Sequence, residues 1–354
     1  MPWIEDHSSR SADDTEAKLD FMHRRNWIQN VYLFQNVIPV MPADPDILNL
    51  MRLMQAAKMP DLTDSSLPEF RRLMENSGLP RKTEKVKTVQ DLNLEFHDRT
   101  VRARLYVPSD SGEGIILYFH GGGFVFGSIE THDDLCRMAA NSSGARVLSV
   151  DYRLAPENRF PAALDDAYDS LLWVRDNADE LGIDENRIAV AGDSAGGNIS
   201  ASLCLRARDS KMKLPALQVL FYPSVGRSES TASMQEYSEN YYLTREMMQY
   251  FGKSYLNSPS DILNPYFSVI SHNDHSGLPE AIIVTAEYDP LRDEGEAYLA
   301  KLLKAGVRAT GIRAKGMIHG FATFFSISRS AENITRMVWS LAGDILSSVN
   351  MQGL

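Results

Sequence analysis

RIAVAGDSAGGNISASLCLRAR, residues 187–208, decides the reading of this chain. It opens on a short apolar run, passes through Gly192-Asp193-Ser194-Ala195-Gly196-Gly197, and continues as a helical stretch. A serine flanked by glycines two residues before and two after, between a strand and a helix, sits on a turn too tight for larger neighbours. Such a turn lifts the hydroxyl out at the C-terminal edge of a sheet and aims the positive end of the next helix at it. Ser194 is therefore the candidate nucleophile. An ordinary glycine-rich turn is the bland alternative, and the strand and helix on either side count against it.

A second glycine cluster, His120-Gly121-Gly122-Gly123-Phe124, follows the apolar run IILYF (115–119). Consecutive glycines let backbone N–H groups approach a ligand, and an acyl-transfer oxyanion needs preorganised donors of this kind. The N–H groups of Gly122 and Gly123, joined by that of Ala195, are the candidate donors. A flexible linker would not follow a buried strand and lead into Phe124, Val125 and Phe126.

A serine hydroxyl needs a base. Of eight histidines, three lie beyond Ser194. His272 and His275 fall in the polar loop SHNDHSG and carry no expected role. His319, in GMIHGF after the strand-like VRATGIR (307–313), hangs where the base belongs. For the acid, Glu287, Asp289 and Asp293 compete on the loop after AIIVT (281–285). Asp293 reads as the N-cap of the next helix. Asp289, held out of helix geometry by Pro290, is the better acid.

Further out, LNLEF (92–96) and VRARLYV (101–107) read as an antiparallel pair. ARVLSV (145–150), LQVLF (217–221) and the runs already named alternate with helical stretches such as 162–178 and 296–306. That rhythm predicts an α/β fold with a mostly parallel sheet buried on both faces. Residues 1–85 carry apolar side chains at helical spacing instead. Phe21, Ile28, Val31 and Tyr32 mark one helix, Ile47, Leu50, Met51 and Met54 a second, and Leu67, Phe70, Leu73 and Met74 a third. Pro39, Pro42 and Pro45 separate the first two, and Pro60 ends the second. The expected organisation is a helical cap region (1–85), a first core part (86–224), a cap insertion (225–275) and a second core part (276–354). Phe124, Phe126, Met247, Met248, Tyr250 and Phe251 are candidates to line an apolar pocket, against the plainer reading that they are core.

The formal net charge of −11 argues against a nucleic-acid binder and against docking on anionic lipid. No window approaches a membrane span, and the N-terminus lacks the pattern of a secretory signal. Cys136 and Cys204 are too few for a disulfide framework and read as buried free thiols. A cytoplasmic protein without stable membrane insertion is expected.

HGGGF, DYRLAPE (151–157), FPAALDDAY (160–168), GDSAGGN (192–198), DPLRDEG (289–295) and HGF (319–321) together resemble the hormone-sensitive lipase-like esterases, the microbial family IV group. The likeness spans residues 100 to 325. It implies an α/β-hydrolase fold with an eight-stranded sheet and a helical cap, a Ser194–Asp289–His319 triad, and an oxyanion hole of Gly122, Gly123 and Ala195. It also implies hydrolysis of small-molecule carboxylic esters with short to medium acyl chains, with no metal or other cofactor; homodimers are common in the group. Phe124 stands where the family often has tryptophan. Arg153, Glu157, Asp165 and Asp166 read either as a buried network under the site or as a solvated face. Ala155-Pro156 and Phe160-Pro161 are candidate cis peptides. Two rival functions remain. A non-enzymatic receptor on the same fold would lack the histidine that stands at 319, and amide hydrolysis by the same triad is separable only by comparing ester with matched-amide turnover.

Overall fold

Apolar runs of five residues dominate the centre of the sheet. Strand β3 (Ile115–Phe119), β4 (Arg146–Val150), β5 (Ile188–Asp193) and β6 (Leu217–Phe221) are buried almost throughout. With β1 (Thr88–Glu95), β2 (Thr100–Val107), β7 (Glu280–Tyr288) and β8 (Ala309–Ile318) they form one eight-stranded sheet in the order β1-β2-β4-β3-β5-β6-β7-β8. β1 with β2, and β2 with β4, pair antiparallel; every other pair is parallel. The computed structural model describes residues 43–56, 62–76, 78–226 and 230–349.

The two-residue period of a strand divides the core into two layers. On β3, Ile115, Leu117 and Phe119 face one layer, and Ile116 and Tyr118 the other. The first layer is completed by α4 (Ala162–Asp176), α6 (Ala195–Asp209) and α9 (Arg292–Lys304), through side chains such as Leu171, Leu203 and Leu302. The second is completed by α1 (Pro45–Ala56), α3 (Ile129–Ser143) and α10 (Arg329–Ser348), through Ile47, Met138 and Trp339. A parallel sheet must be covered on both faces, and these helices cover it.

The expected strands and helices appear in the expected order, with shifted ends. Pro45 begins α1 where it was expected only to separate helices; the first helical position needs no N–H, so proline fits there. The expected helix at 21–32, with Pro39, Pro42 and Pro60, lies outside the described residues. The third predicted helix is α2 (Leu67–Glu75), which buries Leu67 and Phe70. The interval 225–275 carries α7 (Ala232–Tyr237), α8 (Arg245–Tyr255) and two short 3₁₀ turns. A four-residue helical turn, α5 (Ala178–Leu181), follows α4. Strand β8 runs five residues past the predicted end, through an irregularity in its pairing with β7 near Ala286–Tyr288.

Both Ala155–Pro156 and Phe160–Pro161 are cis. Cys136 and Cys204 are buried and unpaired. Among the described residues no helix is long and apolar enough to cross a membrane.

Candidate active site

The parallel strands end on one edge of the sheet, and the loops leaving β3, β5, β7 and β8 bring the candidate residues together there. Ser194 lies between β5 and α6 at φ +54°, ψ −114°, a conformation that costs an L-residue about 1–3 kcal/mol. The surroundings hold it: its N–H donates to the Phe221 carbonyl at 2.9 Å, and its carbonyl accepts from Asn198 and Ser224. Gly196 is required by close approach, since a Cβ there would fall inside the Phe119 carbonyl. The same turn leaves Ser194 half-buried and Ala195 as the first residue of α6.

His319 follows β8 and is 5% exposed. Its Nε2 lies 2.8 Å from Ser194 Oγ, and its Nδ1 lies 2.8 Å from Asp289 Oδ2. With a carboxylate on Nδ1, that nitrogen carries the proton and Nε2 is left as the acceptor facing the serine. Tyr222 packs its ring 4.8 Å from the imidazole and limits how far it can swing. Asp289 is fully buried, and its other oxygen accepts the Leu291 N–H at 2.8 Å.

The three competing acids have three different employments. Glu287 accepts the N–H of Gly316 at 2.7 Å and so ties the loop at its own strand end to the irregular part of β8. Asp293 accepts from the Ser233 backbone at 2.8 Å and from Arg292 at 2.9 Å. It is the second residue of α9, inside the helix, and does not occupy the N-cap expected for it; the helix begins earlier because Asp289 and Pro290 already turn the chain. Only Asp289 meets the imidazole.

Gly122 and Gly123 take φ of +124° and +60°, and Phe124 follows at +65°. Three successive residues in this region turn the loop so sharply that a Cβ at Gly122 would strike the Phe126 carbonyl. Among the described residues the N–H groups of Gly122 and Gly123 have no protein acceptor. The N–H of Gly121 is taken instead by Asp193 Oδ1 at 2.8 Å. That carboxylate is buried, which opposes its ionisation. His132 and the Tyr118 hydroxyl nevertheless hold it below the usual carboxylate range. Asp193, the residue before the serine, thus anchors the start of the glycine loop. Burial, with His132 beside it, pushes His120 well below the ordinary histidine value, so a neutral ring stacks on Tyr152 beneath the loop.

A pocket partly open to solvent rises from Ser194. Of the expected wall residues, Phe124, Met248 and Phe251 line it. Phe126 does not: it packs behind the wall between Phe70 and Phe251, with ring centroids 5.3 and 5.9 Å away. Met247 and Tyr250 also pack on the core without reaching the cavity, because the helical period turns only one face of α8 inward. The remaining apolar wall is Met234, Leu243, Phe267 and Leu291, with Arg245 and Glu294 as its charged members. Met234, Leu243, Phe267 and Leu291 come from short or irregular stretches without a periodic signature. Phe124 stacks flat on Tyr255, with centroids 3.9 Å apart.

Arg153, Glu157, Asp165 and Asp166 do not form one network. Fully buried Asp166 receives Arg153 at 3.0 Å and Arg99 at 2.7 Å. Half-exposed Asp165 pairs with Arg206, and Glu157 with Arg71. Among the described residues no group of three or more His, Cys, Asp or Glu is arranged to hold a metal ion. His272 bonds within its own loop, and His275 meets the Val269 carbonyl at 3.0 Å.

A family model for the alpha/beta hydrolase fold matches residues 116–323. The chain is 40% identical to an arylesterase of Saccharolobus solfataricus over 309 residues, which is 86% of this chain and 99% of the relative. It is 36% identical to an ethyl acetate hydrolase of Pseudomonas putida, covering 84% and 98%. The solved structure of a hyperthermophilic esterase from the archaeon Pyrobaculum calidifontis superposes with a TM-score of 0.81 at 44% identity, over 87% of this chain and 99% of that one. The chain belongs to the α/β-hydrolase fold family and, within it, to the hormone-sensitive lipase-like esterases.

Proposed function

We propose that this carboxylesterase cleaves short- to medium-chain acyl esters of small alcohols or phenols through a covalent acyl-enzyme on Ser194. The observation that carries the reading is the unbroken chain Asp289–His319–Ser194, with 2.8 Å at each link. His319 Nε2 takes the Ser194 proton as Oγ attacks the ester carbonyl carbon. The carbonyl oxygen becomes an oxyanion and accepts hydrogen bonds from the N–H groups of Gly122, Gly123 and Ala195. The same nitrogen then returns the proton to the departing alkoxide. A water, deprotonated by His319, attacks the acyl carbon and frees the acid and the serine. Asp289 keeps Nδ1 protonated and stabilises the imidazolium between these transfers.

Of the cap expected at 1–85 and 225–275, the parts read as standing over the pocket are α2 and 225–275. In support, 225–275 supplies Leu243, Met248, Phe251 and Phe267 to its wall, and Phe70 of α2 backs Phe126. The side chains of Phe251 and Phe124 beside the glycine loop favour shorter acyl groups. The expected homodimer stays outside this reading.

A phosphonate ester with a good leaving group tests the covalent step, because phosphorus takes the place of the acyl carbon. One phosphonyl group should attach per chain, on the peptide that contains Ser194, with loss of esterase activity in proportion. Full inactivation with the label on any other residue would overturn the assignment.

A further inference from the structure

The oxyanion loop is a poor structure on its own. Within the loop, Val125 and Phe126 donate to the Gly122 carbonyl and His120 Nδ1 lies 2.8 Å from the Gly121 carbonyl, few bonds for three successive positive φ values. It must be held from outside: the Tyr152 hydroxyl donates to the His120 carbonyl where the loop begins, and three further anchors follow. Asp193 takes the Gly121 N–H at one end. The Ala155 N–H donates to the Phe124 carbonyl in the middle, at 2.9 Å. The third anchor, on the Val125 carbonyl, comes from α2, which precedes residue 116, where the family-model match begins.

That anchor is Arg71. Its Nε donates to the Val125 carbonyl at 2.7 Å, and its Nη2 to the Ala155 carbonyl at 2.8 Å. Nη1 and Nη2 also grip the two oxygens of Glu157 at 2.8 Å each. One planar guanidinium therefore joins the glycine loop to the 151–157 loop, a span that a single ammonium cannot bridge. Val125 is fully buried, so its carbonyl has little access to water as a substitute. Beside it Phe70 packs edge-on against Phe126, so the one helix fixes the loop by a polar and an apolar contact.

We infer that Arg71 is a positioning residue for ester hydrolysis. From outside the pocket, it sets where the Gly122 and Gly123 N–H groups stand when the oxyanion forms. The inference rests on the oxyanion-hole reading above. It also gives α2 an indirect part in the chemical step, through the glycine loop. Donors that drift lose transition-state stabilisation while the pocket still binds the ground state, so the loss falls on kcat and spares KM.

The test compares wild type, R71A, R71K, E157Q and S194A on a short-chain chromogenic ester. It also measures inhibition by a trifluoromethyl ketone, whose carbonyl carbon bonds to Ser194 Oγ while its oxygen takes the negative charge. R71A should lose about tenfold or more in kcat with KM within about twofold, since a loop displaced by a fraction of an ångström is enough for that. The ketone should weaken by a similar factor. R71K, which keeps the charge but reaches fewer acceptors, should fall in between and serves if R71A does not fold. E157Q removes the charge and one of the two bonds to Glu157 but leaves the Val125 and Ala155 bonds of Arg71 in place, so it should lose less than R71A. Wild-type kcat in folded R71A or R71K, or a change confined to KM or to Tm, would overturn the inference, provided S194A is inactive. An active S194A would instead remove the catalytic reading beneath it.

Discussion

At the scale of single residues, the site is decided by which of several similar groups meets which partner. Glu287, Asp289 and Asp293 lie within seven positions of one another, and only Asp289 reaches His319 Nδ1. D289N should therefore lower kcat by about 10⁴-fold, since an amide cannot hold the imidazole in the tautomer that accepts the serine proton. E287Q and D293N should cost far less, because their carboxylates accept backbone N–H groups that an amide oxygen can still accept. Steady-state kinetics on the three variants checks this, and equal losses from all three would contradict the assignment. The sequence could rank Asp289 first but could not separate the three. The distinction lies in tertiary partners, Gly316 and Ser233, that no local pattern announces. The same holds for Arg71 and Arg99, whose bonding partners lie far along the chain.

Elements were more legible than their partners. The runs at 115–119 and 217–221 match β3 and β6 residue for residue, because a short, mainly apolar run bounded by turns leaves a buried strand little freedom in its ends. The end of β8 was not legible, since Gly316 and the irregular pairing with β7 carry the strand past the residue where the apolar pattern fades. Pocket residues on α8 were half legible: the helix could be seen, but not which face turned inward. Helix packing offers a separate check. α10 crosses α3 at Gly343, where a Cβ would overlap the Ser143 backbone. Ala is ordinarily the better helix former by up to about 1 kcal/mol. Here the overlap should outweigh that gain and G343A should lose about 1–3 kcal/mol, because backbone cannot move aside as a side chain end can. Urea unfolding should show a lower midpoint with kcat unchanged in the folded protein; a raised midpoint would refute the close crossing.

For the whole molecule, the fold explains why residues from distant parts of the chain can act together. A parallel sheet gathers the C-terminal ends of β3, β5, β7 and β8 on one edge, and each contributes one component of the candidate site. In the proposed reading the cap segments decide what reaches Ser194, and the short elements of 225–275 made its pocket wall the least legible part of the described chain. The most direct test of the central claim is hydrolysis of chromogenic esters of graded acyl length by wild type beside S194A. Wild-type turnover should be highest for short to medium chains and drop for long ones, with S194A folded and slower by about 10⁴-fold or more in kcat. Near-normal turnover by folded S194A would contradict Ser194 as the nucleophile, whatever the chain-length profile.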